Sequence, residues 1–290
     1  MKFAADKIRW GTERRLEFIE FRLYWEGGVR RGDITEKFGV STPQASADLG
    51  LYQQLAPGNL MYDASEKRYI STENFTPIFL DLRADVYLAH LHDASGVRVR
   101  LMDSWMGYIP SAALMPVPTR RVKSDVLRAL ARAIREKRSI EVSYQSMNNA
   151  NLDKAWRWLS PHSLVNDGAR WHVRAFCHNR RAFRDFLLSR CDATRGLGSA
   201  EGDITNDTAW NELFEVLLHP NPKLNEPQKR GVMEDHEMVD GKLSIPIRKA
   251  LLFYFEKNLR LDVPDVEGNP AATPLKILNY EDFKIAMSHG

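Results

Sequence analysis

The 290-residue chain is short of several features that would point to particular classes of protein. Its two cysteines, Cys177 and Cys191, form no CxxC pair, and its eight histidines are scattered, so we expect no structural metal. No apolar run approaches the roughly 18 residues of a membrane span, and the start of the chain lacks the apolar core of a signal peptide. These absences predict a protein of the reducing cytoplasm that has no membrane partner.

Motifs of catalysis and of cofactor binding are missing as well. The sequence has no Gly-rich phosphate loop, no cluster of metal-binding carboxylates and no nucleophile motif. We therefore expect no cofactor and no enzymatic activity. The enzymatic alternative is a phosphodiesterase or nuclease that uses His162 or His172 as its general base.

Charge is distributed unevenly, although the net charge is only +3. Residues 118–200 carry 17 basic and 7 acidic side chains, whereas residues 201–290 carry 10 basic and 16 acidic ones. Such a local concentration of positive charge favours an anionic partner. The alternative is a solvated basic face that the acidic C-terminal part neutralises.

The N-terminal part has the pattern of a helix-turn-helix with a wing. Apolar residues recur every three or four positions from Thr12 to Trp25, which is typical of an amphipathic helix, and Gly27-Gly28 is predicted to end it. A short helix capped by Asp33 follows, Gly39 supplies a turn, and a further helix is predicted from Thr42 to Ala56. The segment LMYDASEKRYIST then predicts two short strands around a polar turn.

In a DNA-binding helix-turn-helix, the start of the last helix enters the major groove and the wing lies near phosphates. The predicted DNA-binding residues are therefore Arg30, Arg31, Ser41, Thr42, Gln44, Ser46, Lys67, Arg68 and Tyr69. The alternative is a plain three-helix packing unit with a hairpin that never touches DNA. Zero net charge over residues 1–75 favours that alternative, whereas the cations at the turn and wing favour phosphate contact.

A second domain is predicted to begin near residue 118, after a segment rich in proline and glycine. A helix precedes strands at Ile140 to Tyr144, Trp156 to Val165 with a bend at Pro161, and Phe183 to Arg190. In the strand after Arg170, odd positions are apolar and even positions are mostly cationic, so one face is expected in the core and the other free for function. The pattern predicts a small, strongly bent antiparallel sheet. Residues 201–290 predict a small unit of alternating strands and helices, with nothing interpretable from Pro264 onward.

These segments resemble a WYL domain. The resemblance rests on Tyr144, RWLSPHSL (157–164), GARWHVRAF (168–176) and FRDFLLSR (183–190). The triplet that names the family appears here as Trp171-His172-Val173, which departs from it at the second and third positions. With FIEFRLYWEGGVRRGDI and STPQASADL in the N-terminal part, essentially the whole chain is similar to the WYL transcriptional repressors of bacterial phage-defence islands, the BrxR/CapW type.

The resemblance implies an α+β protein with a winged helix-turn-helix (1–95), a linker (96–117), a WYL domain folded as an Sm-like small β-barrel (118–200) and a small α+β extension for dimerisation (201–290). It implies a homodimeric repressor of a phage-defence operon. Such a repressor would bind double-stranded operator DNA at an inverted repeat and would be released by an anionic or nucleotide-like effector. The alternative is an RNA-binding or single-stranded-DNA-binding protein that uses the basic barrel.

The family's basic and polar ligand pocket maps onto Tyr144, Ser160, His162, Arg174, Arg184 and Arg190. Guanidinium groups bind phosphate oxygens in pairs, and Tyr144 and His162 suit stacking on, or hydrogen bonding to, a base or sugar. Two of these residues have an ordinary structural alternative. His162 would be a hydrogen-bonded histidine of the core, and Arg184 would form an ion pair with Asp185 or Asp192.

Overall fold

A computed structural model describes residues 8–95, 105–116, 118, 120–147, 154–262 and 269–288. The chain divides into two compact units, an N-terminal unit (1–117) and a C-terminal unit (118–290). Part of the predicted linker, residues 96–104, lies outside the described residues. Within the described ranges, no helix combines the length and the apolar character that crossing a bilayer requires.

The N-terminal unit is a helix-turn-helix followed by a hairpin, as predicted. Its elements are α1 (Trp10–Glu26), β1 (Gly28–Val29), α2 (Arg31–Phe38), α3 (Thr42–Leu55), β2 (Leu60–Asp63), β3 (Arg68–Ser71) and α4 (Ala84–Ser95). Gly27 ends α1 at a φ of 70° and Gly39 ends α2 at a φ of 65°, a left-handed conformation that glycine adopts without steric cost. The core joins Leu16 and Ile19 of α1 to Leu49 of α3.

The start of α2 differs from the prediction in one respect. Arg30, not Asp33, occupies the N-cap position, and Asp33 lies in the first turn of the helix. Its carboxylate accepts a hydrogen bond of 2.8 Å from the backbone N–H of Arg30. A carboxylate in the first turn reaches back to a free N–H in this way, so Asp33 stabilises the helix start from inside.

The predicted wing is present as the hairpin of β2 and β3. These strands join β1 in an antiparallel sheet of order β1-β3-β2, in which Val29 pairs with Tyr69. Because Arg30 follows Val29 directly, this register places the start of α2 beside Arg68 in the wing.

A buried glutamate fixes the segment that follows the wing. The carboxylate of Glu20 accepts hydrogen bonds from the Tyr52 hydroxyl (3.0 Å) and from the backbone N–H groups of Ile78 (2.9 Å), Phe79 (2.8 Å) and Leu80 (2.8 Å). Hydrogen bonds to a charged acceptor are stronger than neutral ones. One side chain of α1 thus holds α3 and the chain after β3 in place.

The C-terminal unit begins with a helix on an antiparallel sheet. The elements are α5 (Ser124–Glu136), β4 (Arg138–Tyr144), β5 (Ala155–Asn166), β6 (Trp171–Cys177), β7 (Ala182–Leu187) and β8 (Cys191–Ser199). The strand order is β7-β6-β5-β4-β8, and Val126, Leu130 and Ala133 of α5 are buried in the core shared with the sheet. The pairing shifts between Pro161 and Ser163 of β5, in agreement with the predicted bend. β8 was not predicted, because its run of Thr194 to Gly198 lacks regular alternation.

The prediction of a closed β-barrel is wrong for the described residues. A barrel requires hydrogen bonds between its first and last strands, whereas β7 pairs with β6 alone and β8 with β4 alone. The sheet therefore stays open, and register shifts in β4 and β5 provide its irregularities.

The remainder of the C-terminal unit is a second, smaller sheet with helices. Its elements are α6 (Thr208–Asn211), β9 (Leu213–Pro220), α7 (Glu226–Asp235), β10 (Leu243–Arg248), α8 (Leu252–Asn258), β11 (Leu275–Ile277) and α9 (Tyr280–Ser288). The strand order is β10-β9-β11, and Leu252 and Phe283 are fully buried in its core. The segment after residue 264 that could not be interpreted from sequence contains β11 and α9.

Replacing Glu20 by alanine is expected to lower the free energy of unfolding by about 3 kcal/mol, because the hydroxyl of Tyr52 and three backbone N–H groups lose their acceptor. Urea unfolding of the full chain measures this loss. Glu36→Ala, at an exposed position of α2, is the control and should change stability by less than about 0.5 kcal/mol. Equal effects of the two substitutions would contradict the assignment.

Candidate functional site

The first turn of α3 presents polar side chains on the surface of the N-terminal unit. Ser41 occupies the N-cap position, and its hydroxyl accepts a hydrogen bond of 3.4 Å from the N–H of Gln44. Ser41, Thr42 and Gln44 are exposed, whereas Ser46 is half-buried. The opposite face of the helix, with Ala45 and Leu49, lies in the core, as the predicted spacing requires.

The predicted cations lie together at the wing. Arg30 and Arg31 are exposed at the start of α2, and Lys67 is exposed in the hairpin turn at a φ of 51°. Two of the predicted residues already have partners, since Arg68 forms an ion pair with Glu66 and the ring of Tyr69 packs edge-on against Tyr62 at 5.1 Å. Arg30, Arg31 and Lys67 are therefore the cations most available to phosphates.

An acidic side chain beneath this surface was missed by sequence reasoning. Asp48 of α3 is 1% exposed and bonds both Arg15 of α1 and the side-chain amide of Gln44. A carboxylate on the apolar face of a helix was the available signal, since burial of an acid requires a partner.

In the C-terminal unit, an open pocket of about 580 Å³ lies between the β7 edge of the large sheet and α8. Four of the six predicted ligand residues line it, namely Tyr144, Arg174, Arg184 and Arg190. Ser160 and His162 do not. The hydroxyl of Ser160 contacts His178 at 2.8 Å and accepts from the N–H of Glu201 at 2.8 Å.

Arginine dominates the lining of this pocket. Arg157 lines it too and was missed, although it pairs in register with Val142 and so lies on the same face of the sheet as Tyr144. Its guanidinium lies 5.8 Å from the centre of the Tyr144 ring, and its Nε has no hydrogen-bond partner among the described residues. Four arginines against one carboxylate, Asp185, make the lining strongly cationic.

Tyr144 and Arg184 have side chains suited to a ligand. Burial raises the pKa of Tyr144, which keeps its phenol neutral, and the hydroxyl accepts from the N–H of Leu187 at 3.3 Å. Arg184 is exposed and makes neither of the ion pairs weighed from sequence. Asp185 bonds Arg174 and Tyr254 instead, and Asp192 bonds Lys123 and Lys154.

Arg174 lies in a different environment from the one predicted. It is 4% exposed, and its Nε and Nη2 donate to the two carboxylate oxygens of Asp207 at 2.9 and 2.7 Å. Nη1 donates to Asp185 at 3.4 Å. The even-numbered face of β6 is therefore not a free cationic face, because the chain that leads into α6 covers it and supplies Asp207. Most of the Arg174 fork is already occupied by protein carboxylates.

His162 and the altered triplet have structural partners. His162 contacts Asp207 at 3.1 Å and the Ser163 hydroxyl at 3.0 Å, which fits the alternative of a hydrogen-bonded histidine. His172, buried, contacts Asp167 at 2.9 Å and packs on Tyr254 of α8 at 5.0 Å. In the same triplet, Trp171 is half-exposed and Val173 belongs to the core.

Two other features do not compete with this pocket. A larger groove of about 880 Å³ lies between α5 and β8, but none of the predicted ligand residues lines it. In the part of the chain that the structure describes, no three histidine, cysteine, aspartate or glutamate side chains are grouped as metal ligands would be.

Comparison with known families divides the chain in the same order as the fold. Residues 11–93 match the BrxR transcriptional regulator winged helix-turn-helix domain, residues 125–195 match the WYL domain, and residues 213–283 match the BrxR transcriptional regulator C-terminal dimerization domain. The fold and these matches define a transcriptional regulator with a winged helix and a WYL domain.

Relatives that match almost the whole chain identify the family within this class of regulators. Proteins named DNA-binding transcriptional repressor CapW are 42% identical in Stenotrophomonas maltophilia (97% of this chain, 93% of the relative) and 40% identical in Escherichia coli strain KTE188 (95% and 91%). A third, in Pseudomonas aeruginosa, is 39% identical (95% and 92%). The chain belongs to the BrxR/CapW family of transcriptional repressors. The solved structure of proteasome accessory factor B/C of Arthrobacter aurescens is 16% identical, covers 99% of this chain and 50% of that one, and has a TM-score of 0.26.

Replacing Asp207 by asparagine is expected to lower the free energy of unfolding at neutral pH by about 2 kcal/mol. Burial raises the pKa of Asp207, but hydrogen bonds and charges from Arg174 and His162 outweigh burial and lower the pKa to about 2. A lowered pKa stabilises the fold above the unfolded value of about 4, and this contribution is lost as the pH falls from about 4 to about 2.

Urea unfolding at a series of pH values measures this difference. The gap between wild type and Asp207→Asn should narrow below about pH 4, whereas Asp235→Asn, at an exposed position of α7, should show no gap. A gap that is independent of pH would mean that the ionised carboxylate is not what stabilises the fold.

Proposed function

We propose that this protein is a homodimeric, DNA-binding repressor that acts in the cytoplasm on a phage-defence operon and releases its operator when the WYL domain binds an anionic or nucleotide-like ligand. In this proposal residues 1–95 bind DNA, 96–117 are a linker, 118–200 sense the ligand and 201–290 support dimerisation. Relatives named as DNA-binding repressors along the full chain, and the matched dimerization domain, support it.

The observation that carries the DNA-binding part is the exposed first turn of α3 together with the exposed cations at the start of α2 and in the wing. Polar side chains at the start of such a helix suit base edges in the major groove, and exposed arginine and lysine suit phosphates. Thr42, Gln44 and Ser46 are the proposed base contacts, with Arg30, Arg31 and Lys67 on phosphates. A dimer would contact two half-sites of an inverted repeat about 34 Å apart, or a multiple of that distance.

The pocket is lined by both the WYL domain and the C-terminal extension, which supports the proposed coupling between ligand binding and DNA binding. β5, β6, β7 and the turn after β7 supply the arginines, whereas Ala250, Phe253 and Tyr254 come from the extension that matches the dimerization domain. A ligand that draws Arg184 or Arg190 towards itself would change contacts across this boundary. Coupling between two sites typically amounts to about 1–3 kcal/mol, or roughly 5- to 150-fold in affinity.

Footprinting of the full-length protein on DNA upstream of its own gene tests the DNA-binding part. We expect two protected half-sites on one face of the duplex, with protection that weakens steeply as salt rises. Absence of protection at low salt would contradict the proposal. Stronger binding to single-stranded DNA or RNA of the same sequence would favour the alternative of a single-strand-binding protein.

Replacing Arg190 by alanine is expected to weaken binding of a fluorescently labelled adenosine triphosphate roughly 10- to 100-fold, because a charge-assisted hydrogen bond contributes about 1.5–3 kcal/mol. DNA binding without the nucleotide should stay unchanged. Fluorescence anisotropy measures both. Arg180→Ala, exposed and outside the pocket lining, is the matched control. A wild-type protein that does not bind the nucleotide would contradict the nucleotide-like part of the proposal.

A further inference from the structure

Asp48 is held in one orientation beneath the first turn of α3. The Nε of Arg15 donates to its Oδ2 at 2.6 Å, and Nη2 donates to Oδ1 at 3.2 Å. Arg15 is itself fixed within α1, since it donates to the carbonyl of Gly11 at 2.8 Å and to the hydroxyl of Thr12 at 3.2 Å. With Asp48 1% exposed, the carboxylate has little freedom to turn.

The remaining contact of this carboxylate determines how Gln44 is oriented. Nε2 of Gln44 donates to Oδ1 of Asp48 at 3.0 Å. The hydrogen-bond partners of a glutamine amide determine where its oxygen and its nitrogen lie. A carboxylate in an ion pair only accepts hydrogen bonds. One N–H of the Gln44 amide therefore points towards Asp48, and since Gln44 is exposed, the carbonyl oxygen, Oε1, and the second N–H are left for a partner outside the protein.

An outward acceptor distinguishes between the bases of DNA. In the major groove, adenine offers its N6 amino group and cytosine its N4 amino group as donors, whereas guanine O6 and thymine O4 are acceptors. A fixed Oε1 of Gln44 would pair with the amino bases and face an unpaired acceptor on guanine or thymine. Unmatched polar groups in an interface discriminate more strongly than missing apolar contacts.

We propose that Asp48 is a positioning residue for base recognition, which fixes Gln44 so that the operator carries adenine or cytosine at the base that Gln44 contacts. This inference rests on the proposed function, since it requires α3 to enter the major groove. Asp48 itself is too deeply buried to touch DNA and acts through the Gln44 amide alone.

Selection of bound duplexes from a random-sequence library, followed by sequencing, tests this inference with the full-length protein. Wild type should enrich adenine or cytosine at one position in each half-site, and Gln44→Ala should lose that preference alone. In Asp48→Asn, the new amide can donate to Oε1 of Gln44, so the glutamine can turn and present its NH₂ group. The preference at that position should then move towards guanine or thymine, by roughly 5- to 150-fold relative to wild type.

A double variant separates positioning from a general structural effect. When Asp48→Asn is combined with Gln44→Glu, the amide introduced at position 48 would donate to an acceptor-only carboxylate, and the preference for amino bases should return. A merely structural role for Asp48 predicts uniform weakening at all positions and no such return. Affinity for a duplex of unrelated sequence reports whether each variant keeps its fold.

Removing the amino group from the DNA gives a test without any change at Asp48. In the enriched duplex, the base at this position is replaced by an analogue that lacks the exocyclic amine. This should weaken wild type roughly 5- to 150-fold and leave Gln44→Ala unaffected.

Three results would overturn the inference. These are enrichment of guanine or thymine by wild type, an unchanged preference in a folded Asp48→Asn, and indifference of wild type to the missing amine. If wild type enriches no sequence at all, that result contradicts the proposed sequence-specific binding itself, and the inference, which depends on that binding, is then wrong as well.

Discussion

The ion pair between Arg174 and Asp207 is the interaction on which the arrangement of the C-terminal unit depends. Both side chains are almost fully buried, and removing either would leave the other charge in the interior without its main partner. Arg174 is on an inner strand of the large sheet, and Asp207 caps α6, which follows that sheet in the chain. The pair therefore fastens the C-terminal extension to the WYL domain, with His162 and Asp185 as further partners. Tyr254 can then close the arginine-lined pocket from the other side.

The N-terminal unit uses buried carboxylates in a similar way. Glu20 gathers the hydroxyl of Tyr52 and three consecutive backbone N–H groups, and Asp48 gathers Arg15 and Gln44. In each case an acid lies on a helix face that is otherwise apolar, and at least one donor from a distant part of the chain satisfies it. Such acids fix the orientation of the segments that donate to them. Packing alone would fix that orientation less specifically, since hydrogen bonds are directional and apolar contacts are not.

Sequence reasoning succeeded where a pattern is local. Spacing of three and four residues, with Gly27 and Gly39 as stops, located the helix-turn-helix, and alternation located the strands around Trp171 to Cys177. It was less successful where a residue's surroundings come from afar. Arg174 was expected to face a ligand, but its fork is bonded to Asp207, 33 residues along the chain. Arg157 was overlooked although it faces Tyr144 across neighbouring strands.

The sequence by itself determined the family, the helix-turn-helix with its wing, the helix and first four strands of the WYL domain, and the concentration of positive charge in residues 118–200. The family follows from the resemblance of the quoted motifs to known sequences, and the other features follow from local periodicity and composition, which need no knowledge of distant contacts. Only the tertiary structure decided that the sheet stays open, that Ser160 and His162 lie outside the pocket and that Arg15 is paired with Asp48. The physical reason is that hydrogen-bond partners and burial depend on which segments meet in space, and each side chain could have formed several alternative pairs until the fold selected one.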